Sequence, residues 1–481
     1  SQENSLMRMA SGMDLRALNY QSDGNSFNYS GGLQYGEPIG EKWVISANAR
    51  FSRSRSNSIR DAFDEGGRND YYSSESRTKR MSQVYGLSAQ YTLGTGSWLS
   101  LGAAMNGLLN ETYSKSFNVS TTTGKDEWSW FASPTFRFQY SKDNNRFYIS
   151  ASGSSLQPGR TSMLPVMNII NPSRPTLGNI YLKPYNNTYV SGNWNRNNRE
   201  KFSTLMVYLY GNINSNPITQ ARWYDSDGVL YSIPVNSRKN TINSSLASNY
   251  TTPLDGKKKW FLTAGLSFSM SRSTSYQPKG TLDGLDKDAF DYSAFIDSFW
   301  GNSDGDLFYS GKSGFFESDT RRVSPGASLS LKYSNSGFTG RAFAMVDGNI
   351  VKYSLDSKVN MNTRDSRIGL AGNYTTKHEF EFDTDIAYAW YNGYAQGYGQ
   401  PEWQWNGEVS KNIGAFNLSV KVHDILDQTR NLDHTVTANY EEDTYRLVMG
   451  RYILFGVKWN FGKMNAAHSA RARQAAMNMV F

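Results

Sequence analysis

The sequence contains no cysteine and only four histidines. Without thiols the chain cannot form a disulfide framework or a thiolate metal site. The histidines, His378, His423, His434 and His468, fall in separate parts of the chain and share no metal-ligand spacing. There is also no phosphate-binding glycine loop and no Ser-His-Asp set in a suitable context. We therefore predict no metal, no cofactor and no catalytic residues, and we expect that the protein is not an enzyme.

Long hydrophobic runs are absent as well. The mean hydropathy is −0.60, and no stretch approaches the ~18 consecutive apolar residues that a membrane-spanning helix needs. The chain opens at Ser1 without an initiator methionine or a basic-then-apolar signal segment. We therefore expect a mature or truncated chain.

The charge balance argues against a nucleic-acid partner. The net charge is +8, from 50 basic and 42 acidic residues. Nucleic-acid binding needs basic residues clustered on one face, whereas here they are spread along the chain among the acids. We predict no nucleic acid.

Aromatic residues and glycine are abundant. Aromatic residues make up 14% of the chain, with 31 Tyr, 25 Phe and 12 Trp, and there are 42 Gly. A polar average combined with many aromatic residues and glycines is typical of a transmembrane β-barrel, in which half of each strand faces lipid and the other half faces a polar lumen.

The stretch 451–461, RYILFGVKWNF, shows the pattern most clearly. Phe455, Val457, Trp459 and Phe461 alternate with glycine, lysine and asparagine. Period-two alternation places the two sets on opposite faces of a strand. Taken alone, this stretch favours a strand of a soluble sheet with one face on its core.

The same pattern repeats along the chain, which favours lipid as the apolar side. Eight short polar turns are each followed by an aromatic residue that opens an alternating strand. Rings at the same end of many strands form a girdle at the membrane–water boundary. The predicted girdle comprises Trp43, Trp98, Phe147, Phe202, Trp260, Phe338, Phe380, Phe416, Trp459 and Phe461.

We predict an all-β fold, a transmembrane antiparallel β-barrel with about 17 visible strands, over residues 1–462. Residues 463–481 are rich in Ala, Met, Arg and Gln, and we expect a short periplasmic tail that favours helix. Long polar segments between strands are predicted to be extracellular loops, at 56–78, 112–126, 156–186, 215–237, 274–320, 353–364, 392–401 and 426–449. The strands are predicted near 26–36, 42–55, 79–93, 98–111, 128–140, 146–154, 187–196, 201–214, 238–251, 259–272, 323–334, 338–350, 365–376, 379–391, 402–412, 415–425 and 450–462.

The odd number of predicted strands does not fit a complete bacterial barrel. Bacterial barrels have an even number of strands, whereas the predicted strands here both begin and end with a descent to the periplasm. We expect that the first strands of the barrel lie outside this chain. The alternative is a strand overlooked in residues 1–22, where the alternation is weak.

Three segments carry a family resemblance. They are INPSRPTLGNIYLKPYNNTYVSGNW at 170–194, FNLSVKVHDILDQ at 416–428 and GRYILFGVKWNFGK at 450–463. In their order and spacing they resemble the C-terminal barrel of TonB-dependent outer-membrane receptors of the Bacteroidota type. The resemblance implies a barrel of 22 strands in the bacterial outer membrane, with the N-terminal plug, the TonB-contacting segment and the first five strands absent from this chain.

The resemblance leaves three functions open. The first is import of a large nutrient, such as a glycan, peptide or metal chelate, with TonB acting through the missing N-terminal part. The second is a barrel that scaffolds surface lipoproteins in an outer-membrane assembly or secretion complex. The third, an open porin, is weaker because a barrel of this size without a plug would leave a very wide hole. Outer-membrane lipid is a partner in each case.

Aromatic residues on the long loops are the candidate substrate contacts. Trp223, Tyr224 and Tyr231 flank the turn DSDG at 225–228, which predicts a hairpin, and Tyr391, Tyr394 and Tyr398 lie in WYNGYAQGYG. These rings either contact substrate or pack the loops against each other or against a lipoprotein.

Acidic clusters are the remaining candidates for chemistry. Glu381, Asp383 and Asp385 share the inward face of one predicted strand, and we expect them to be ordinary lumen acids. The Asp-rich segments 282–291 and 302–306 offer oxygen ligands for calcium but lack the full spacing of a calcium loop, which favours solvated loops.

Overall fold

The structure is a computed structural model. It describes residues 2–7, 16–116, 119–123, 128–159, 161–165, 167–168, 171, 173–282, 285, 290–394, 399–428, 432–436, 441–445 and 450–459. Tyr398, Phe461 and the predicted tail 463–481 lie outside these residues.

The described residues form 25 strands and little helix. The strands are β1 (Gln2–Met7), β2 (Arg16–Ile39), β3 (Trp43–Asp64), β4 (Gly67–Gly94), β5 (Ser97–Ser116), β6 (Val119–Thr123), β7 (Trp128–Lys142), β8 (Asn145–Leu156), β9 (Met167–Asn168), β10 (Thr176–Leu177), β11 (Tyr185–Asn198), β12 (Ser203–Ser215), β13 (Ile218–Tyr224), β14 (Leu230–Asn236), β15 (Thr241–Pro253), β16 (Trp260–Pro278), β17 (Phe315–Asn335), β18 (Phe338–Tyr353), β19 (Met361–Thr375), β20 (Phe380–Asn392), β21 (Glu402–Ile413), β22 (Phe416–His423), β23 (Leu432–Val436), β24 (Glu441–Tyr445) and β25 (Tyr452–Trp459).

The helices are α1 (Tyr292–Phe299) and α2 (Asp306–Tyr309), with two 3₁₀ turns at Thr161–Met163 and Ser357–Val359. None of the helices in the described ranges is long and apolar enough to cross a membrane.

Seventeen long strands form one antiparallel sheet, which we call the wall. Each pairs with the next one along the chain, and β23 and β24 form a separate two-stranded sheet. Within the described residues, β25 pairs with β22 alone. The strands of the wall are β2, β3, β4, β5, β7, β8, β11, β12, β15, β16, β17, β18, β19, β20, β21, β22 and β25.

The two ends of the wall differ. At one end, which we call the turn end, most neighbouring strands are joined by turns of two to four residues. Several of these turns use a left-handed residue, such as Gly337 at φ 89° and Gly414 at φ 59°, where glycine avoids the steric cost of a side chain. At the other end, the loop end, longer segments predominate.

The register gives the wall two consistent faces. Directly paired residues in an antiparallel sheet share a face, so one outer face can be followed from strand to strand without a break. It carries the apolar rows, and the large residues on it are exposed, with Phe455 at 81%. The path runs through Trp43, Tyr91, Leu99, Phe138, Ile149, Gly192, Leu209, Leu246, Phe268, Pro325, then Leu329, Ala344, Ile368, Tyr388, Trp403, and through Val409, Val420 and Phe455.

The inner face is polar and mostly uncharged in the first half of the wall. Serine, threonine and asparagine side chains bond across neighbouring strands there. Examples are the hydroxyl pairs Ser52–Ser82 at 2.8 Å, Ser150–Ser191 at 2.9 Å and Thr251–Thr263 at 2.9 Å. These bonds satisfy the polar groups of this face, as expected for a face that lines a lumen.

Rings gather at the turn end of the outer face. Trp43 contacts Tyr91 with centroids 4.8 Å apart, Trp260 contacts Tyr333 at 4.8 Å, and Phe416 stacks on Trp459 at 5.6 Å. Phe147, Phe338 and Phe380 lie on the same face.

Two of the predicted girdle residues are not the first outward-facing residue of their strand. Trp98 pairs with Thr92, so Leu99, the partner of Tyr91, is the outer residue. The turn before this strand carries a bulge between Thr92 and Gly94, and a bulge shifts the alternation by one residue. Phe202 lies in a turn at φ 52°, one residue before β12 begins.

A second belt of rings lies on the outer face toward the loop end, which the sequence analysis overlooked. Trp130 stacks with Trp128 at 5.8 Å, and Tyr388 contacts Trp390 at 5.8 Å and Trp403 at 4.9 Å. Trp130 and Trp390 are each ten positions from an outer ring of the turn end, Tyr140 and Phe380 respectively. Two belts at this separation match the two interfaces of a membrane.

The predicted loop at 56–78 is wrong, because β3 runs to Asp64 and β4 begins at Gly67. The segments 112–126 and 274–320 also contain strand, and the latter contains α1 and α2. Beyond the lipid both faces of a strand meet water. The hydrophobic alternation therefore ends, although the backbone pairing continues.

Residues 1–22 do contain a strand, β1, but it has six residues and is not one of the seventeen strands of the wall. That the first strands of the barrel lie outside this chain therefore stays a prediction. β1 pairs antiparallel with the loop-end part of β2, from Gln2 opposite Gln21 to Met7 opposite Arg16.

Candidate functional site

The largest buried core of the described residues lies at the loop end, in a unit that we call the cap. The cap comprises the described residues of 161–182, the hairpin β13–β14 and the segment 290–314 with α1 and α2. Its central cluster is Trp223, Tyr231, Phe299, Phe308 and Phe315. The apolar row on the outer face of the wall, by contrast, has many large exposed residues.

The hairpin was correctly predicted from the turn DSDG. The carboxylate Oδ1 of Asp225 accepts hydrogen bonds from the backbone N–H groups of Asp227 at 3.0 Å and Val229 at 2.8 Å. This is an Asx-type turn, in which a side chain replaces a backbone acceptor. β13 and β14 then pair from Ile218–Asn236 to Tyr224–Leu230.

Two of the hairpin rings that were predicted as candidate substrate contacts are buried. Trp223 is 3% exposed and Tyr231 is 1% exposed. They stack on each other at 5.5 Å, and Trp223 also meets Phe315 edge-on at 5.6 Å. These rings therefore pack the loops together, which was the alternative. Tyr224 is partly buried.

Helix α1 closes over the hairpin. Asp291 caps it by accepting a hydrogen bond from the backbone N–H of Ala294 at 3.1 Å. Tyr292, Ile296 and Phe299 are buried, which is the i, i+4, i+7 spacing of one helix face. The sequence contains this signal, but the surrounding Asp-rich segment concealed it.

The Asp-rich segment 302–306 is a turn between the two helices. Asn302 Nδ2 donates to Asp306 Oδ2 at 2.6 Å, and Asp304 forms an ion pair with Lys183 at 3.2 Å. In the described part of the chain, no group of three or more His, Cys, Asp or Glu residues is placed to hold a metal ion.

The motif at 170–194 ties the parts of the cap to one another. Asn179 is fully buried, and its Nδ2 donates to the carbonyl of Pro234 at 3.0 Å. The Tyr292 hydroxyl donates to the carbonyl of Gly178 at 3.2 Å. Burial raises the pKa of Tyr292, so the hydroxyl stays protonated as a donor. A Cβ on Gly178 would lie 2.6 Å from the carbonyl carbon of Leu164, so the packing requires glycine here.

An ionic cluster lies at the loop end of the outer face of the wall. Asp319 accepts hydrogen bonds from Thr274 Oγ1 at 2.7 Å, Lys239 Nζ at 2.8 Å and Arg272 Nη2 at 3.1 Å. Partial burial acts to raise the pKa of Asp319, but the hydrogen bonds from Lys239, Thr274 and Arg272 outweigh it and lower the pKa. The carboxylate therefore stays ionised at neutral pH.

A second group of residues, the mouth network, lies at the loop end of the inner face. The Tyr391 hydroxyl donates to Glu402 Oε1 at 3.2 Å, and the Tyr394 hydroxyl donates to Asp365 Oδ1 at 2.8 Å. Gln404 bridges Glu402 at 2.9 Å and Arg367 at 2.9 Å. Burial and the bond to Asp365 raise the pKa of Tyr394.

The mouth network brings together two of the predicted substrate-contact rings, Tyr391 and Tyr394, whose rings meet edge-on at 6.1 Å. It also contains four polar residues that the sequence analysis missed. They could have been found from the alternation of each strand, because Asp365 and Arg367 share the inner face of one strand. Glu402 and Gln404 share the inner face of another. The network offers both hydrogen-bond donors and acceptors beside aromatic rings.

The predicted lumen acids lie deeper on the same inner face. Asn373 Nδ2 donates to Asp383 Oδ1 at 2.6 Å and Glu381 Oε1 at 3.2 Å, and Asn406 Nδ2 donates to Asp385 Oδ2 at 2.9 Å. The side-chain amides of Asn373 and Asn406 therefore donate hydrogen bonds that stabilise the negative charge of these carboxylates.

Comparison with known proteins supports the membrane assignment. Residues 6–307 match the model of the outer membrane protein beta-barrel family. A search of curated proteins gave no match.

Solved structures of low similarity include three outer-membrane proteins. The copper transporter OprC is 9% identical at TM-score 0.34 over 95% of this chain and 73% of its own. The ferric enterobactin receptor PfeA, in complex with BCV-L6, is 10% identical at TM-score 0.28 over 92% and 74%. Outer-membrane expressed OmpT of Vibrio cholerae is 7% identical at TM-score 0.25 over 78% and 88%.

The family match covers more than half of the chain and agrees with the two-faced wall and its two aromatic belts. The chain belongs to the outer membrane protein beta-barrel family and resides in the outer membrane.

Proposed function

We propose that this chain forms the barrel wall of a TonB-dependent receptor of the Bacteroidota type, which imports a large nutrient across the outer membrane. In this proposal the short turns face the periplasm and the loop end faces the cell exterior, as is usual for such barrels. Ligand binds at the loop end, and TonB acts through a part of the protein upstream of Ser1.

The mouth network is the observation that carries the proposal. Its tyrosine hydroxyls, carboxylates and guanidinium group face inward at the end where an extracellular ligand enters the lumen. Such groups suit a ligand rich in hydroxyls or amides, such as a glycan or a peptide. The motifs at 170–194, 416–428 and 450–463 support the same assignment by their resemblance to these receptors.

The size of the wall adds support. Porins of about 16 to 18 strands already leave an aqueous channel, and barrels of about 22 strands hold a plug. The wall contributes seventeen strands, and the 22-strand barrel that the resemblance implies would be wider than a porin and could hold both a plug and a large ligand.

A scaffold for surface lipoproteins is the second candidate. One observation favours it: Tyr276 and Phe315, which anchor the cap, share the sheet face of the outer apolar row. The cap is therefore attached on the side of the wall that a neighbouring protein in the membrane could reach.

Electrical recording separates the receptor from an open porin. The full-length protein, inserted in a planar lipid bilayer, is expected to show no steady conductance, because a plug fills the lumen. Long-lived open steps of the size of a large porin would contradict the proposal.

Uptake separates the receptor from the scaffold. Mass spectrometry of spent medium should show a glycan or peptide whose depletion requires both this gene and TonB. Unchanged depletion in the deletion strain, together with stable co-purification of unrelated lipoproteins, would overturn import in favour of the scaffold.

A further inference from the structure

We propose that the outer face of β3 and β4 carries a binding site for the phosphorylated headgroup of an outer-leaflet glycolipid. We call its residues the basic patch: Arg53, Arg55, Arg77 and Lys79. It rests on the family assignment, the register and the proposed orientation of the loop end toward the cell exterior, and it does not depend on what the lumen transports.

The basic patch begins where the apolar row ends. On β3 the outer face reads Trp43, Ile45, Ala47, Ala49 and Phe51, and then Arg53 and Arg55. β16 behaves in the same way: its outer row runs from Trp260 to Met270 and is followed by Arg272. These eleven positions from Trp260 to Met270 agree with the ~9–11 residues that cross a membrane.

The second aromatic belt marks the same level. Trp130 and Trp390 are ten positions from their turn-end rings, as Arg53 is ten positions from Trp43. Tryptophan belts lie at the headgroup region of a membrane. The side chains of Arg53 and Arg55, which are exposed, therefore point outward at the height of the lipid headgroups.

Two of the four cations of the patch, Arg53 and Arg55, are not balanced by acids of the described residues. Arg55 is directly opposite Lys79 across β3 and β4, and like charges in that position destabilise a sheet. Lys79 forms an ion pair with Glu111 at an N–O distance of 3.1 Å, and Arg77 forms one with Glu75 at 2.7 Å. Arg53 and Arg55 form no ion pair within the described ranges. A bound anion would offset the repulsion.

The other neighbours of the two arginines indicate a lipid. On the β2 side Arg53 is opposite Tyr29, and Arg55 is opposite Phe27. These rings are 45% and 67% exposed and lie 5.8 Å from each other. Arginine recognises phosphate through two parallel hydrogen bonds, while the rings offer a surface for the upper acyl chains. A phosphorylated glycolipid fits both, and it is the lipid that a Gram-negative outer leaflet provides.

The test uses the full-length protein in detergent, with the midpoint of thermal unfolding measured during titration. The probes are diphosphoryl lipid A, dephosphorylated lipid A and inorganic phosphate. The variants are R53Q/R55Q and, as a matched control on the inner face of the same two strands, R50Q/R80Q. Wild type should show a saturable rise in the midpoint with diphosphoryl lipid A, and R53Q/R55Q should weaken the apparent affinity by about tenfold or more. R50Q/R80Q should match wild type.

Three results would overturn the proposal. Equal affinity of R53Q/R55Q and R50Q/R80Q for diphosphoryl lipid A would show that the patch does not bind it. Equal stabilisation by dephosphorylated lipid A would show that the lipid binds through its acyl chains and not through its phosphates. The same stabilisation by inorganic phosphate would assign the patch to a free anion.

Discussion

Replacing Trp223 with alanine should unfold the cap while the wall stays folded. The indole is 3% exposed and contacts Tyr231, Phe295, Phe299 and Phe315 at centroid distances of 5.5 to 6.5 Å. Truncation of a buried tryptophan typically costs about 3–5 kcal/mol. The helices of the cap are only eight and four residues long, so their stability depends on this packing rather than on their own backbone hydrogen bonds.

Hydrogen exchange provides the measurement. Amide protection in peptides that cover α1 should fall strongly in W223A, whereas protection in β16 from Trp260 to Met270 should stay at the wild-type level. The matched control is Phe316→Ala, because Phe316 adjoins Phe315 but is 39% exposed on the other face of β17. Loss of protection in F316A as large as in W223A would contradict the central position of Trp223.

Leu266→Arg should destabilise the protein in lipid, while Ser267→Arg should not. Leu266 lies midway along the outer row of β16 and is 66% exposed. Arginine on the lipid face at the middle of a bilayer costs about 2–4 kcal/mol. Ser267, the next residue, is exposed on the inner face, where the side chain meets water or a polar plug.

The free energy of unfolding from lipid vesicles, measured by urea titration, tests this pair. A loss of about 2–4 kcal/mol is expected for L266R and a much smaller change for S267R. Equal losses would show that both faces of β16 meet similar surroundings, and the assignment of the outer face would fail.

The sequence was sufficient to predict the strands within the membrane, because lipid on one side imposes a strict alternation. It also predicted the hairpin at 225–228, because the Asp-Gly turn chemistry is local. Trp98 shows the limit of this reasoning. A single bulge moved the outer position to Leu99, so the ring that directly follows the turn does not begin the outer row.

Above the membrane the prediction failed for a physical reason. The upper part of β3, such as Ser54 to Ser58, has polar residues on both faces, so its sequence resembles a loop although its backbone is paired. The burial of Trp223 and Tyr231 depends on α1 and Phe315, which are distant in sequence. The mouth network likewise needs three segments, and only the register shows that Asp365 and Glu402 flank Tyr391.

The central claim is that one continuous face of the wall meets lipid and the other meets a polar lumen. The chain has no cysteine, so single cysteines can be placed at each position from 260 to 270 and spin-labelled in lipid vesicles. The claim predicts that oxygen relaxes labels at even positions most strongly and that a water-soluble nickel complex relaxes labels at odd positions, with a period of two. Relaxation without this alternation, or with its parity reversed, would contradict the claim.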